Sequence, residues 1–159
     1  MTFLLTYLEL KELSVERLRR IMEEAKELGI SIALIAGGEP LTRPEILELC
    51  GAFPEIIFPL FTNGLLIQGV LSEKIGRFRN IIPVISLEGF EAQTDARRGE
   101  GVYRHVLKTM EQLKRRNIFF GASLTATSKN FSSVTESKFL RELMRRGCKV
   151  FFFVEYVPV

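Results

Sequence analysis

Residues 32–44 read IALIAGGEPLTRP. An apolar run, Ile32 to Ala36, stops at Gly37-Gly38 and is followed by Glu39 and Pro40. Thr42 with Glu45 three positions on then has the spacing of a helix capping box. A strand that ends in two glycines leaves its main-chain carbonyls open to close approach, because no side chain stands in the way. Carbonyl oxygens and a carboxylate are acceptors, so this corner suits a cationic amine. A phosphate would want donors and a glycine fingerprint of the Gly-x-Gly-x-x-Gly kind, which the stretch lacks.

The same pattern extends outward from this stretch. SIALIA, IIFPLF, IIPVIS, IFFGASLT and VFFFVEYV are continuous apolar runs rich in Ile, Val and Phe, the pattern of strands buried on both faces of a parallel sheet. Pro59 and Pro83 fall inside two of them and predict local gaps in the ladder. Helix-period segments lie between the runs. From Ser14 to Gly29, Leu18, Ile21, Met22, Ala25 and Leu28 share one face; from Val102, Val106, Met110 and Leu113 point inward; before Gly147, Phe139, Leu140, Leu143 and Met144 do so. Strands alternating with helices imply right-handed crossovers and an α/β fold, either a doubly wound sheet or a partial barrel. Nothing in the alternation separates the two, and 159 residues suit a single domain, residues 1–159.

In both architectures ligands bind at the C-terminal ends of the strands, and the unusual polar groups recur there. The runs end in Gly37-Gly38-Glu39-Pro40, Thr62-Asn63-Gly64 and Ser86-Leu87-Glu88-Gly89; the fourth leads into Thr125, Thr127 and Asn130, and the last into Glu155-Tyr156-Val157-Pro158. Each alone reads as a turn. Their recurrence predicts a polar ring at one mouth of the sheet. Arg97 and Arg98 precede a helix start near Val102, where a guanidinium could clamp a carboxylate; pairing of Arg98 with Asp95 or Glu100 at the surface is the alternative. An amine seat and a carboxylate clamp together describe an amino-acid ligand.

Composition narrows the classes further. The chain is 47% hydrophobic and 26% charged with a net charge of +3, ordinary for a soluble globular protein. Its basic residues are scattered along helices, the pattern of a solvated face rather than a nucleic-acid surface. No apolar run has the length of a membrane span, and the N-terminal MTFLLTYLEL lacks the basic start and cleavage site of a signal peptide, so the expected compartment is the cytoplasm. The 13 phenylalanines, including Phe151 to Phe153, read as strand core, and the single His105 as an ordinary helix residue.

With these elements in order, the chain resembles the radical S-adenosylmethionine (radical SAM) enzymes. The resemblance rests on GGEPL at 37–41, TNG at 62–64, SLEG at 86–89, DARRGEG at 95–101 and YVP at 156–158. It is strongest toward the branch that often carries a cysteine-rich, SPASM-type iron–sulfur domain after the core. The resemblance implies a partial (β/α)6 TIM-like barrel. It implies that main-chain groups of Gly37, Gly38 and Glu39, with Pro40 shaping the turn, hold the cofactor's amino group, next to Thr62 and Asn63. Ser86 and Arg98 would lie near its carboxylate and ribose, with Glu88 where many relatives have Asp. Thr125 or Thr127 would face the ribose, and the backbone around Val157 would border the adenine. In that family a [4Fe-4S] cluster binds S-adenosylmethionine, and reductive cleavage yields a 5′-deoxyadenosyl radical that abstracts hydrogen from a substrate. An electron donor and a substrate, unidentified here, are the implied partners.

One family feature is missing. The cluster is normally held by Cys-x-x-x-Cys-x-x-Cys ahead of the first helix, whereas this chain has only Cys50 and Cys148, which read as buried free thiols. The expectation is therefore an N-terminally incomplete barrel without its first strand and cluster loop, inactive as it stands. Two other readings stay open: a cluster-free domain that binds the cofactor or serves as a regulatory scaffold, and an unrelated α/β nucleotide-binding domain.

Overall fold

The computed structural model describes residues 13–156; the MTFLLTYLEL stretch and Val157 lie outside them. Helix α1 (Val15–Glu27) opens on Ser14, whose Oγ accepts a hydrogen bond from Arg17 N at 3.2 Å. There follow α2 (Glu45–Gly51), β1 (Phe58–Thr62), α3 (Gly69–Arg77), β2 (Ile81–Leu87), α4 (Glu91–Arg98), α5 (Val102–Arg115), β3 (Gly121–Ala126), α6 (Phe131–Val134), α7 (Ser137–Arg145) and β4 (Val150–Glu155).

The four strands are parallel and lie in the order β1-β2-β3-β4. A doubly wound sheet would reverse direction at a switch point; this order never reverses, which is how a barrel is built. The sheet also curls. Phe61 of β1 and Phe152 of β4 stand on the two edge strands, about 14 Å apart in a flat sheet, yet their rings meet edge-on with centroids 5.2 Å apart. Ile82, Ser86, Ser123 and Thr125 share the concave face with these rings by strand alternation and register. The opposite face carries Phe58, Leu60, Ile85, Leu87, Ala122 and Leu124, all fully buried against the helices. The result is a partial, unclosed barrel.

The run from Ser31 to Ala36 was expected as a fifth strand, and it pairs with β1 only at two isolated bridges, Ile32 with Ile57 and Ile35 with Leu60. Ala33 N and Ile35 N donate to Ile57 O and Pro59 O, while Ile57 N and Phe61 N donate to Ser31 O and Ile35 O. The rung missing between the bridges is the one Pro59 would donate to Ala33 O, and proline has no N–H. Pro83 has a related effect, since the β2–β3 ladder begins only at Val84. Nor is this run buried on both faces: Ile32 and Leu34 are more than half exposed.

Helix α5 buries Val102, Val106, Met110 and Leu113 as its period predicts. Two other helices depart from expectation at their ends. Leu28 caps α1 and is 79% exposed, Ile21 is partly exposed, and Met144 in the last turn of α7 points outward at 56%. The Thr42–Glu45 capping box does not form either. Thr42 closes a 3-10 turn over Pro40–Thr42, α2 starts at Glu45 after Pro44, and the Glu45 carboxylate takes a 3.1 Å bond from Arg43 Nε instead.

Candidate functional site

At the C-terminal end of the Ile32–Ala36 run the chain turns sharply. Gly37 has φ +105° and Gly38 φ +32°, in the region that disfavours side chains, and a Cβ built on either would meet nothing within 4 Å. The open space belongs to a cleft of about 430 Å³ whose walls include Leu18 and Met22 of α1, Leu34, Pro40 and Ile46. The Glu39 carbonyl accepts from Thr42 N at 3.1 Å and Thr42 Oγ1 at 2.7 Å. The N–H and C=O groups of Gly37 and Gly38, by contrast, have no hydrogen-bond partner among the described residues. Both glycines are exposed, so these groups are open to water or to a ligand entering the cleft.

The Glu39 side chain has a structural task. Its Oε1 accepts from Leu41 N at 3.1 Å and Thr62 Oγ1 at 2.8 Å, and its Oε2 from Asn63 N at 2.7 Å. Thr62 Oγ1 in turn accepts from Gly64 N, and Asn63 Oδ1 from Leu65 N, an Asx turn. The carboxylate thus staples the glycine turn to the loop after β1.

After β2, Glu88 is 1% exposed and holds two guanidiniums. Its Oε1 accepts from Arg98 Nε at 3.0 Å and Nη2 at 2.6 Å, and its Oε2 from Arg97 Nη1 at 2.8 Å. Arg98 therefore pairs with neither Asp95 nor Glu100. Asp95 binds Gly101 N and Tyr103 N, each at 2.8 Å, and so caps α5 across the tight Gly99–Gly101 turn. Ser86 is half-buried, and its hydroxyl makes no hydrogen bond among the described residues; its register partner on β3 is Ser123.

Asn130, which sequence reasoning noted but did not select, ties the two loops together. Its Nδ2 donates to Glu88 O at 2.9 Å and Thr125 O at 2.8 Å, while its Oδ1 accepts from Thr127 N at 2.7 Å and Thr127 Oγ1 at 3.0 Å. Thr94 adds a second tie, donating to Gly89 O and accepting from Glu88 N. The Thr125 hydroxyl carries no partner among the described residues. The mouth thus brings the glycine turn, Thr62-Asn63, Ser86, Glu88-Arg98 and Thr125-Thr127 onto successive strand ends; Val157 falls outside the described residues.

The two cysteines are in the core. Burial pushes the Cys50 thiol up to about 12 and the Cys148 thiol up to about 11. Among the described residues no group of three or more His, Cys, Asp or Glu side chains converges to hold a metal ion.

The sequence profile of the Radical SAM superfamily matches residues 6–128 of the chain. Among curated proteins, the AdoMet-dependent heme synthase of Methanosarcina barkeri is 29% identical over 148 residues, covering 90% of this chain and 42% of that protein. The pre-heme d1 synthase of Dinoroseobacter shibae is 29% identical over 128 residues, covering 79% of this chain and 32% of that protein. The chain therefore spans less than half the length of these relatives. Among solved structures, Streptococcus suis SuiB bound to S-adenosylmethionine superposes with a TM-score of 0.77 at 21% identity, over 92% of this chain and 35% of that one.

Proposed function

The chain belongs to the radical SAM superfamily, and on that premise we propose that it is the S-adenosylmethionine-binding core of a radical enzyme. The observation that carries this reading is the pair of unpartnered backbone units at Gly37 and Gly38 beside an open cleft. Their carbonyls are the seat for the cofactor's ammonium. Ser86 and the N–H groups of Arg98 not used by Glu88 take its carboxylate, Thr125 or Thr127 the ribose, and the backbone at Val157 the adenine. Thr62, Asn63, Glu39 and Pro40 hold the seat in shape, and Glu88 holds Arg98. When bound and reduced by one electron in this family, the cofactor supplies a radical for hydrogen abstraction; the chain's own residues bind and orient it.

These residues fit S-adenosylmethionine and do not fit a [4Fe-4S] cluster. Cys50 and Cys148 are separately buried and held as thiols, whereas a cluster needs exposed thiolates on one loop. We therefore place the cluster's ligands outside these 159 residues, in a longer protein that also meets the electron donor and the substrate. A second reading, a core that binds the cofactor without cleaving it, is favoured by the same buried thiols.

The test is a calorimetric titration with S-adenosylmethionine of the chain and of Gly38→Val. The side chain fills the seat and, at φ +32°, also strains the turn locally, so binding should fall more than about tenfold while the circular dichroism stays unchanged. Equal affinity in a folded variant would remove the seat from this turn. The family match rules out an unrelated nucleotide-binding domain; tighter binding of ATP than of S-adenosylmethionine would contradict the cofactor assignment.

A further inference from the structure

A second cavity, of about 570 Å³, opens at the same mouth between α4 and the loop after β3. Its chemistry differs from that of the glycine cleft. Ala92 and Ala96, both exposed on α4, give it an apolar side, and the Tyr156 ring lines it too, with the Arg97 guanidinium over its face at 5.4 Å from the centroid. Lys129, on the opposite rim, is exposed and has no ion pair among the described residues. Glu88, the one carboxylate in the lining, has both oxygens occupied by Arg97 and Arg98. Arg97 gives Glu88 a single N–H through Nη1, so its Nε and Nη2 remain for a ligand. Gln93 Oε1 is buried with no hydrogen-bond partner among the described residues.

Two cations beside an apolar side, with the only acid among the described lining residues already neutralised, select an anion on a hydrophobic body. The volume lies within the range of small-molecule sites, about 300–1,000 Å³. We infer that this cavity takes the carboxylate-bearing part of the substrate, the carboxylate lying between Arg97 and Lys129 and the apolar body between Ala92, Ala96 and Tyr156. The inference rests on the proposed cofactor-binding core. Thr127 also lines this cavity, so the ribose falls to Thr125, whose hydroxyl is unpartnered among the described residues, and the neighbouring site to a different molecule. Of the two adjacent arginines, Arg98 serves the cofactor and Arg97 the substrate.

The probe is 2-naphthoate, an aromatic carboxylate, with neutral 2-naphthylmethanol as its control; the chain has no tryptophan to obscure naphthyl fluorescence. Affinities are measured for the wild type, Arg97→Gln and Lys129→Gln, with an S-adenosylmethionine titration alongside. The acid should bind at least about tenfold more tightly than the alcohol, in keeping with one charge-assisted contact. Each variant should remove most of that difference, and Lys129→Gln, which does not touch the Glu88–Arg98 pair, should leave the S-adenosylmethionine affinity within about twofold. Lys129 is exposed, so its variant also guards against a folding defect at Arg97. No binding of the acid, equal binding of acid and alcohol, or indifference to both substitutions would overturn the site. Competitive displacement of the acid by S-adenosylmethionine would assign the cavity to the cofactor and overturn it too. If the acid shows the expected pattern and S-adenosylmethionine does not bind at all, the carboxylate site stands and the cofactor-core reading falls.

Discussion

Thr62 Oγ1 donates a 2.8 Å hydrogen bond to Glu39 Oε1, joining the ends of two neighbouring parallel segments at the mouth of the barrel. The same carboxylate receives Leu41 N and Asn63 N, so one side chain satisfies three donors on two loops. Glu39→Ala leaves these donors in a part-buried site and should lower stability by about 1–3 kcal/mol in urea titrations. Glu39→Gln is predicted to recover only part of this, because one end of the amide turns a donor toward a backbone N–H. A glutamine variant as stable as the wild type would show that the carboxylate charge is not required there.

Glu88 is the second anchor. Its 1% exposure and its two arginines make it the least replaceable charge at the mouth. Removal of one partner from a fully buried ion pair costs about 3–5 kcal/mol; Arg97 and Arg98 can turn partly to water, so Glu88→Gln should cost about 2 kcal/mol by that measure. Glu88→Asp, one methylene shorter, should keep one guanidinium and lose the other. Backbone chemical shifts that move at Arg97 but not at Arg98, or the reverse, would identify which. Unchanged shifts at both would contradict the shared carboxylate.

The thiols give a pH prediction. Folding raises Cys50 to about 12 and Cys148 to about 11 from an ordinary value near 9. The folded state therefore binds these protons more tightly than the unfolded state. Their contribution is complete below about pH 9 and is lost as the pH climbs toward the folded values. The stability of the wild type should fall more steeply between pH 9 and 12 than that of a Cys50→Ala/Cys148→Ala variant. Iodoacetamide at pH 8 should label neither thiol until the chain is unfolded; rapid labelling of the native protein would contradict the burial argument.

Residue pattern revealed the fold where burial is continuous. The apolar runs at 58–62, 81–87 and 121–126 became strands because each has a neighbour and a packed face. The run at 150–155 pairs with β3 as β4, but none of its residues is fully buried and Phe153 and Val154 are about half exposed, so Phe151 to Phe153 are not the strand core the pattern predicted. The run at 32–36 looked alike and forms only bridges, since a ladder depends on the partner's N–H groups and Pro59 lacks one. Leu28 and Met144 fit a helical period yet face outward, because period cannot say whether the last turn still has a layer to pack on. Helix α3, over Gly69–Arg77, escaped notice because its apolar positions are few.

At the site, the strand ends were legible as polar breaks in apolar runs, and the glycine pair as a place without side chains. Partnerships were not. Glu88 lies ten residues from Arg98, and Asn130 lies 42 from the Glu88 carbonyl it binds; only folding brings them together. Ser123 was hidden inside an apolar run, and its place beside Ser86 follows from strand register alone.

The most direct measurement is a pair of calorimetric titrations of the wild-type chain, one with S-adenosylmethionine and one with 5′-methylthioadenosine, which keeps the nucleoside but lacks the amino-acid end. With the amino-acid end held at the Gly37-Gly38 carbonyls and at Ser86 and Arg98, S-adenosylmethionine should bind at least about a hundredfold more tightly, two charge-assisted contacts' worth. Equal affinities would mean that the amino-acid end is not held, and the glycine turn would lose its proposed role.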